Sequence, residues 1–486
     1  MIDLILYQMD KPWGLFVLFF FFIISLILLS ELGYEKNILA ASSNRIIIHI
    51  VTGLAVSASP FLFLNNTQPI LLASLFLLVN LISYKKNKLK SFHNIERISL
   101  GTVYFPLSFI IISGLFWEYS YQIASSFIIL AIADPLASFV GNRNKKKHIY
   151  NLAGDEKSIE GSAAMFIATM VLLTVASSFI FINFDNLNTT IAIITCSIAI
   201  TISEAISFKG SDNLTIPITT FLFIELFNHL NQNIFFNEFL LIIITIIIFL
   251  YYFYRKKYLS LSGFISASFM GALITGYGGF DYLIPIGIFF ISSTILSRFN
   301  NYQTMKVDSN RSAAQVFANG GVALLICIIS HFYQNNFLYY TFIAAIAAAN
   351  SDTWGTEIGK LSKKKPVDIL SRRQLDKGES GGITTIGLIG SLFGSLLLSA
   401  TGYLLNVDTR IALLIFISGF FASLFDSILG STFQSRFISQ SGLIISESYS
   451  KNYYLLTGKK GFNNDAVNFF CTVSAPLSLI IMNIIL

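Results

Sequence analysis

Charged side chains are scarce in this sequence of 486 residues: they make up 12% of it, against about 25% in soluble globular proteins. With 54% hydrophobic residues and a mean hydropathy of +0.69, that scarcity excludes a water-soluble chain and leaves a polytopic membrane protein. Cysteine is sparse too. Its three occurrences, Cys196, Cys327 and Cys471, lie far apart in apolar segments, which excludes a disulfide framework and a Cys-x-x-Cys metal site. Familiar catalytic signatures are absent: there is no His-Glu-x-x-His, no Gly-x-Ser-x-Gly, and no Gly-x-Gly-x-x-Gly in a strand–helix setting. The run GTEIGK at Gly355–Lys360 falls short of a Walker A motif and is followed by Leu361, so it is not a P-loop.

What the sequence does have is apolar runs. About sixteen are long enough, or nearly so, to cross about 30 Å of hydrocarbon. They predict an all-α polytopic membrane protein of about 15–16 transmembrane helices in two tandem, distantly similar halves, 1–257 and 258–486. The aromatic and basic run YYFYRKKY (Tyr251–Tyr258) marks the boundary between them. Trp13–Ser30 lacks a small-residue cleavage site and is expected to stay as a helix. If the loop after Tyr84 is cytoplasmic, strict alternation leaves only Lys11 and Arg410 of the 32 Lys and Arg on the other side. So strong a bias supports both the orientation and the helix count. The net charge of +6 is then a signal of topology and gives no reason to expect nucleic acid.

The polar residues gather on that cytoplasmic face. In the second half, YYTFIAAIAAA leads into ANSDTWGTEIGKLSKKKPVDILSRRQLDKGESGG, which carries Asn350, Asp352, Glu357, Lys360, Arg372, Arg373, Lys377, Glu379 and Gly381. Carboxylates that can hold a divalent cation, beside ammonium and guanidinium groups that can hold phosphate, suit a metal–nucleotide complex. The glycine pair lets backbone N–H groups approach an anion. Upstream, RSAAQVFANGG brings Arg311 and Asn319 to the start of a helix. Downstream, FDSILGSTFQ brings Asp426, and NNDAVN brings Asn464, Asp465 and Asn468.

The first half repeats the layout. Arg97 precedes ADPLASFVGN, which holds Asp134; a basic loop and KSIEGS follow with Lys157 and Glu160, then Glu204, Asp212 and Asn213. The intervals Asp134–Glu160 and Asp352–Glu379 are nearly equal, as are Glu160–Glu204 and Glu379–Asp426. This pairs Glu160 with Glu379 in a degenerate duplication of one orientation. Each acid has a bland alternative as an interfacial residue, but acids recurring in both halves on one face argue for function. The Lys145–Lys147 and Lys363–Lys365 runs read more simply as topological anchors. Arg45 and His49 share a helical face and could contact phosphate or simply lie among headgroups.

On ADPLASFVGN, KSIEGS and EAIS…GSDNLTIP, residues 40–230 resemble the dolichol kinase/phytol kinase family of membrane lipid kinases, distant relatives of the CDP-diacylglycerol synthases. On SLSGFISASFMG, RSAAQVFANGG, NSDTWGTEIGKLS, GESGGIT, FDSILGSTFQ and NNDAVN, residues 255–486 resemble the phytyl-phosphate kinase family. The resemblance implies a fusion that phosphorylates a prenyl alcohol of the phytol or geranylgeraniol type to the monophosphate and then the diphosphate. It further implies CTP, or another nucleoside triphosphate, as donor, with Mg²⁺.

In that reading Asp134 with Glu204 or Asp212, and Asp352 with Asp426 or Asp465, hold Mg²⁺. Glu160 and Glu379 ligate metal or orient the acceptor oxygen, and Glu357 joins the catalytic carboxylates. Arg97, Lys157, Arg311, Lys360, Arg372, Arg373, Lys377 and Gly381 contact phosphate. Asn213, Asn319, Asn350, Asn464 and Asn468 support them. The partners are a membrane-embedded prenyl alcohol, its phosphate and a nucleotide, with the prenyl tail between the helices rich in small residues. A cytidylyltransferase resembling CDP-diacylglycerol synthase stays open, as does a transporter built from two repeats, although a transporter would keep its polar residues near the bilayer midplane.

Overall fold

The computed structural model describes residues 12–35, 41–86, 100–143, 148–152, 154–181, 184–232, 236–304, 310–377, 379–439, 445–446 and 453–486. Most of them are helical. Among the described residues ten helices are long and apolar enough to cross a membrane, and three shorter apolar helices accompany them. The architecture is that of an all-α polytopic membrane protein, as the hydropathy pattern demands.

The chain divides into two compact units, Met1–Phe236 and Asn237–Leu486. The sequence boundary at Lys257 therefore falls one helix late. The helix Phe236–Arg255 sets Phe249 and Phe253 against Phe290 and Ile246 against Gly271, all contacts within the second unit. The basic run after it is a turn inside that unit, where Leu259 bridges to Arg311.

In the first unit α1 (Pro12–Glu35), α2 (Ala41–Leu62) and α3 (Thr67–Lys86) precede a bundle of five helices. These are α4 (Gly101–Phe116), α5 (Ser120–Arg143), α6 (Ile159–Ile180), α7 (Asn186–Ala205) and α8 (Asp212–Gln232). α5 is central and packs on α2, α6 and α8. An antiparallel hairpin, β1 (Ile149–Asn151) with β2 (Glu156–Ser158), joins α5 to α6.

In the second unit α9 (Phe236–Arg255) is followed by α10 (Leu261–Thr304). Gly279 breaks α10 into two rods with φ 68° and ψ −157°, a conformation that only glycine adopts readily. Another five helices follow: α11 (Ala313–Tyr333), α12 (Asn336–Gly359), α13 (Thr385–Leu404), α14 (Thr409–Thr432) and α15 (Asn464–Ile485). The short pair β3 (Val367–Asp368) and β4 (Gly382–Ile383) joins α12 to α13. A sheet ordered β6-β5-β7 (Ile445–Ser446, Arg436–Ser439, Tyr453–Thr457) lies between α14 and α15.

The two bundles share one plan. α5 packs on α6 and α8, α7 on α6 and α8, and α4 on α8; likewise α12 on α13 and α15, α14 on α13 and α15, and α11 on α15. The caps match as well: the Ser158 hydroxyl accepts from Gly161 N at the start of α6, and Thr384 accepts from Gly387 N at the start of α13. Those caps correct the repeat read from spacing. They pair Ser158 with Thr384 and Gly161 with Gly387, so Glu160 corresponds to Ile386 and not to Glu379. The loop that carries Glu379 is the longer of the two, and its extra residues precede β4.

The small residues of α13 are spent on contact with α12. A Cβ on Gly390 would lie 2.8 Å from Trp354 O, one on Gly394 2.8 Å from Asn350 O, and one on Gly387 2.9 Å from Gly355 O. Backbones this close leave no groove at the α12–α13 seam. Gly394→Val is expected to destabilise the second unit by about 1–3 kcal/mol, the usual penalty for forcing a side chain into a filled seam. Thermal unfolding in detergent checks this, and an unchanged midpoint would show that the helices can part.

Candidate active site

In the second unit, loops and helix ends enclose a cavity of about 970 Å³. α12 delivers Asp352 and Glu357 to it, because its first half is an alanine-rich buried rod (Ala344–Ala349) that carries its polar end to the bundle surface. α14 delivers Asp426, and the start of α15 delivers Asn464, Asp465 and Asn468. Arg311 and Asn319 line it from the start of α11. The backbone of Arg311 is pinned there, its N–H donating to Tyr258 O and its carbonyl accepting from Ser260 N. Lys360, Lys377, Glu379 and Gly381 close it from the long loop. Lys360 pairs with Glu357 at 2.9 Å, and the Asp376 N–H donates to Glu379 Oε2.

At the centre the carboxyl groups of Asp352 and Asp426 hydrogen-bond each other. Such a contact needs a shared proton or a cation between the two. Asp426 Oδ1 is buried with no hydrogen-bond partner, which a buried polar atom seldom tolerates without a ligand. Among the described residues no three His, Cys, Asp or Glu form a cage for a metal. Two carboxylates completed by phosphate oxygens and water are nevertheless the usual donor set for Mg²⁺ at a nucleotide site, so these residues fit that ion.

In the first unit Asp134, Lys157, Glu204 and Asp212 come together at the matching end of the bundle. Lys157 Nζ lies 2.5 Å from Glu204 Oε1 and 3.8 Å from Asp212 Oδ2. Burial opposes its charge, but Glu204 and Asp212, with a further contribution from Asp134, outweigh that and hold the ammonium above its ordinary pKa. Asp134 is 4.0 Å from His49 Nε2, which also contacts Leu130 O at 3.1 Å. Asn213 donates to Asp212 Oδ1 at 2.9 Å, fixing that carboxylate. Glu204 Oε2 is buried without a partner. The units differ here: by the cap alignment Lys157 corresponds to Ile383, and the second site draws Lys360 and Lys377 from the longer loop and Lys256 and Lys257 from the turn after α9.

Other sequence candidates lie elsewhere. Glu160 engages His148, with Oε1 3.0 Å from Nδ1. Asn350 is wholly buried; its Nδ2 donates to Gly394 O at 2.7 Å and its Oδ1 accepts from Ser292, so it ties helices together. Arg372 and Arg373 are exposed and do not line the cavity. Arg97, the Lys145–Lys147 run and the Arg45 side chain lie outside the described residues. A cavity residue that the sequence reading passed over is Gln434, 2% exposed, whose Nε2 has no partner. It closes the FDSILGSTFQ run, where only the aspartate had attracted a role.

Comparison with known proteins gives the following. The model of the family described as "Integral membrane protein DUF92" matches residues 244–476. The chain is 35% identical over 185 residues to the uncharacterized membrane protein MJ0933 of Methanocaldococcus jannaschii, covering 37% of this chain and 77% of that protein. It is 29% identical over 248 residues to Protein PGR of Arabidopsis thaliana (44% of this chain, 85% of that protein). It is 27% identical over 198 residues to the phytol kinase of a Synechocystis species (40% and 83%). No solved structure matches.

Proposed function

This chain belongs to the integral membrane protein family DUF92, and from that premise we propose that it is a bifunctional membrane lipid kinase. The first unit phosphorylates a prenyl alcohol to its monophosphate, and the second adds a further phosphate to give the diphosphate. The donor is CTP or another nucleoside triphosphate with Mg²⁺, and both sites face the cytoplasm. The observation that carries the reading is the Asp352–Asp426 carboxyl pair facing Arg311, Lys360 and Lys377 across one cavity. Similarity to a phytol kinase supports kinase chemistry in this chain, and the carboxylate cluster around Lys157 offers the first unit a site for it.

Phosphoryl transfer asks a protein mainly to position the two reactants and to absorb charge. Asp352 and Asp426 would hold Mg²⁺, which when bound neutralises and aligns the nucleotide phosphates. Arg311, Lys360 and Lys377 draw the transferring phosphoryl group and the acceptor phosphate together. Glu379, at the loop, orients the acceptor oxygen. In the first unit Asp134, Glu204 and Asp212 take the metal-binding part, and Lys157 turns its ammonium from them to the phosphates as the nucleotide arrives. A monophosphate brings two negative charges to its acceptor site, and the second unit offers more loop cations than the first.

The test is the purified full chain in detergent with Mg²⁺, CTP and labelled geranylgeraniol or phytol, with products resolved. Diphosphate is expected after a lag filled by monophosphate. Release of pyrophosphate with a cytidylyl lipid would replace this reading with a cytidylyltransferase. No product across several prenols and all four nucleotides would favour a transporter.

A further inference from the structure

We infer that Gln434 recognises the donor nucleotide of the second unit at the end distant from the transferring phosphate, through an acceptor oxygen of the base. The inference rests on the kinase reading above and adds a specificity residue to it. Gln434 follows the end of α14, and its backbone is locked: its N–H donates to Leu429 O, and the positive-φ Gly458 packs against its carbonyl. Next to it, Arg436 donates to Ser380 O and so holds the Ser380–Gly381 loop. A Cβ on Gly430 would lie 2.9 Å from Gly381 N and 3.5 Å from Gln434 Oε1, so the amide and that loop meet over a bare glycine. All this rigidity presents one side chain, 98% buried by its 2% exposure, to a cavity with its Nε2 unpaired.

An unpaired buried amide donor is costly unless a ligand completes it. The position says which part of the ligand. Asp426 lies about 9 Å along the axis from the end of α14 at about 1.5 Å per residue, and Gln434 lies beyond that end. With the transferring phosphate at the Asp352–Asp426 pair, that separation is one a nucleoside triphosphate spans between its γ-phosphate and its base. A fixed amide edge suits a base carbonyl, and a site built around such a bond discriminates against bases that cannot supply it.

The test compares wild type with Gln434→Met, a variant of similar volume that has no donor. A non-hydrolysable CTP analogue with Mg²⁺ and, separately, Mg²⁺-pyrophosphate are titrated calorimetrically into the full chain. The expected result is two analogue sites in wild type, one of them weakened about tenfold by the loss of one hydrogen bond, with pyrophosphate binding unchanged. The ligand-free melting temperature should stay level or rise, because an unpaired donor has been removed. A fall in that temperature, with analogue binding intact, would make Gln434 structural and overturn the proposal. Equal weakening of pyrophosphate would assign the bond to a phosphate and overturn the base assignment. Wild type that binds neither ligand would overturn the kinase reading itself and the proposal with it.

Discussion

Asp426→Asn is expected to stop the second phosphorylation and spare the first, so that prenyl monophosphate accumulates. The variant keeps the shape of the side chain and a donor towards Asp352, so the hydrogen bond between the two positions survives. It loses the second negative charge at the place where a divalent cation needs two carboxylates. Removing one electrostatic element of a preorganised site costs about a hundred- to a thousandfold in rate, and the diphosphate should fall by that factor. The first unit has its own carboxylates, Asp134, Glu204 and Asp212, and its rate should be unchanged. Stability should not fall, because the amide donates to Asp352 where the carboxyl pair needs a shared proton or a cation. The measurement is a time course of both products from labelled prenol. Diphosphate formed at the wild-type rate would remove Asp426 from the chemistry, and loss of both products would mean that the units do not work independently.

Much of this was legible in the sequence, for definable reasons. Apolar runs report helices directly, since a bilayer leaves the backbone no other way to satisfy itself here. Acids at the ends of such runs report the cavity, since hydrocarbon tolerates them poorly. Hence Asp352, Glu357, Asp426 and Asp465, each read from its place at a helix end, all line one cavity. Spacing along loops was a weaker guide. The interval Asp134–Glu160 matches Asp352–Glu379 only because a longer loop places an unrelated glutamate at the same count, and the caps at Ser158 and Thr384 expose the coincidence. Small-residue runs were ambiguous in the same way: Gly387, Gly390 and Gly394 could admit a ligand or a helix, and the structure shows them admitting α12. Gln434 was invisible because nothing local distinguishes a buried, unpaired amide from an exposed one.

The first unit yields the complementary expectation: Lys157→Met should abolish monophosphate formation while a supplied prenyl monophosphate is still converted to diphosphate. Two effects contribute and a second variant separates them. Lys157 is 17% exposed and sits between Glu204 and Asp212, at 8% and 20%. Its removal leaves buried carboxylates uncompensated, and breaking such a pair costs about 3–5 kcal/mol. Its folded pKa is raised above 10.5, so the stabilisation is present in full below that value and is lost only as pH rises through the folded value. No physiological change of pH mimics the variant. Adding Glu204→Gln and Asp212→Asn to Lys157→Met should restore the unfolding midpoint, since no unpaired charge remains. It should not restore the first phosphorylation, because two of the three metal-binding carboxylates and the phosphate contact are then missing. Stability regained together with activity would reduce the cluster to a structural ion network and leave the first half without a catalytic site.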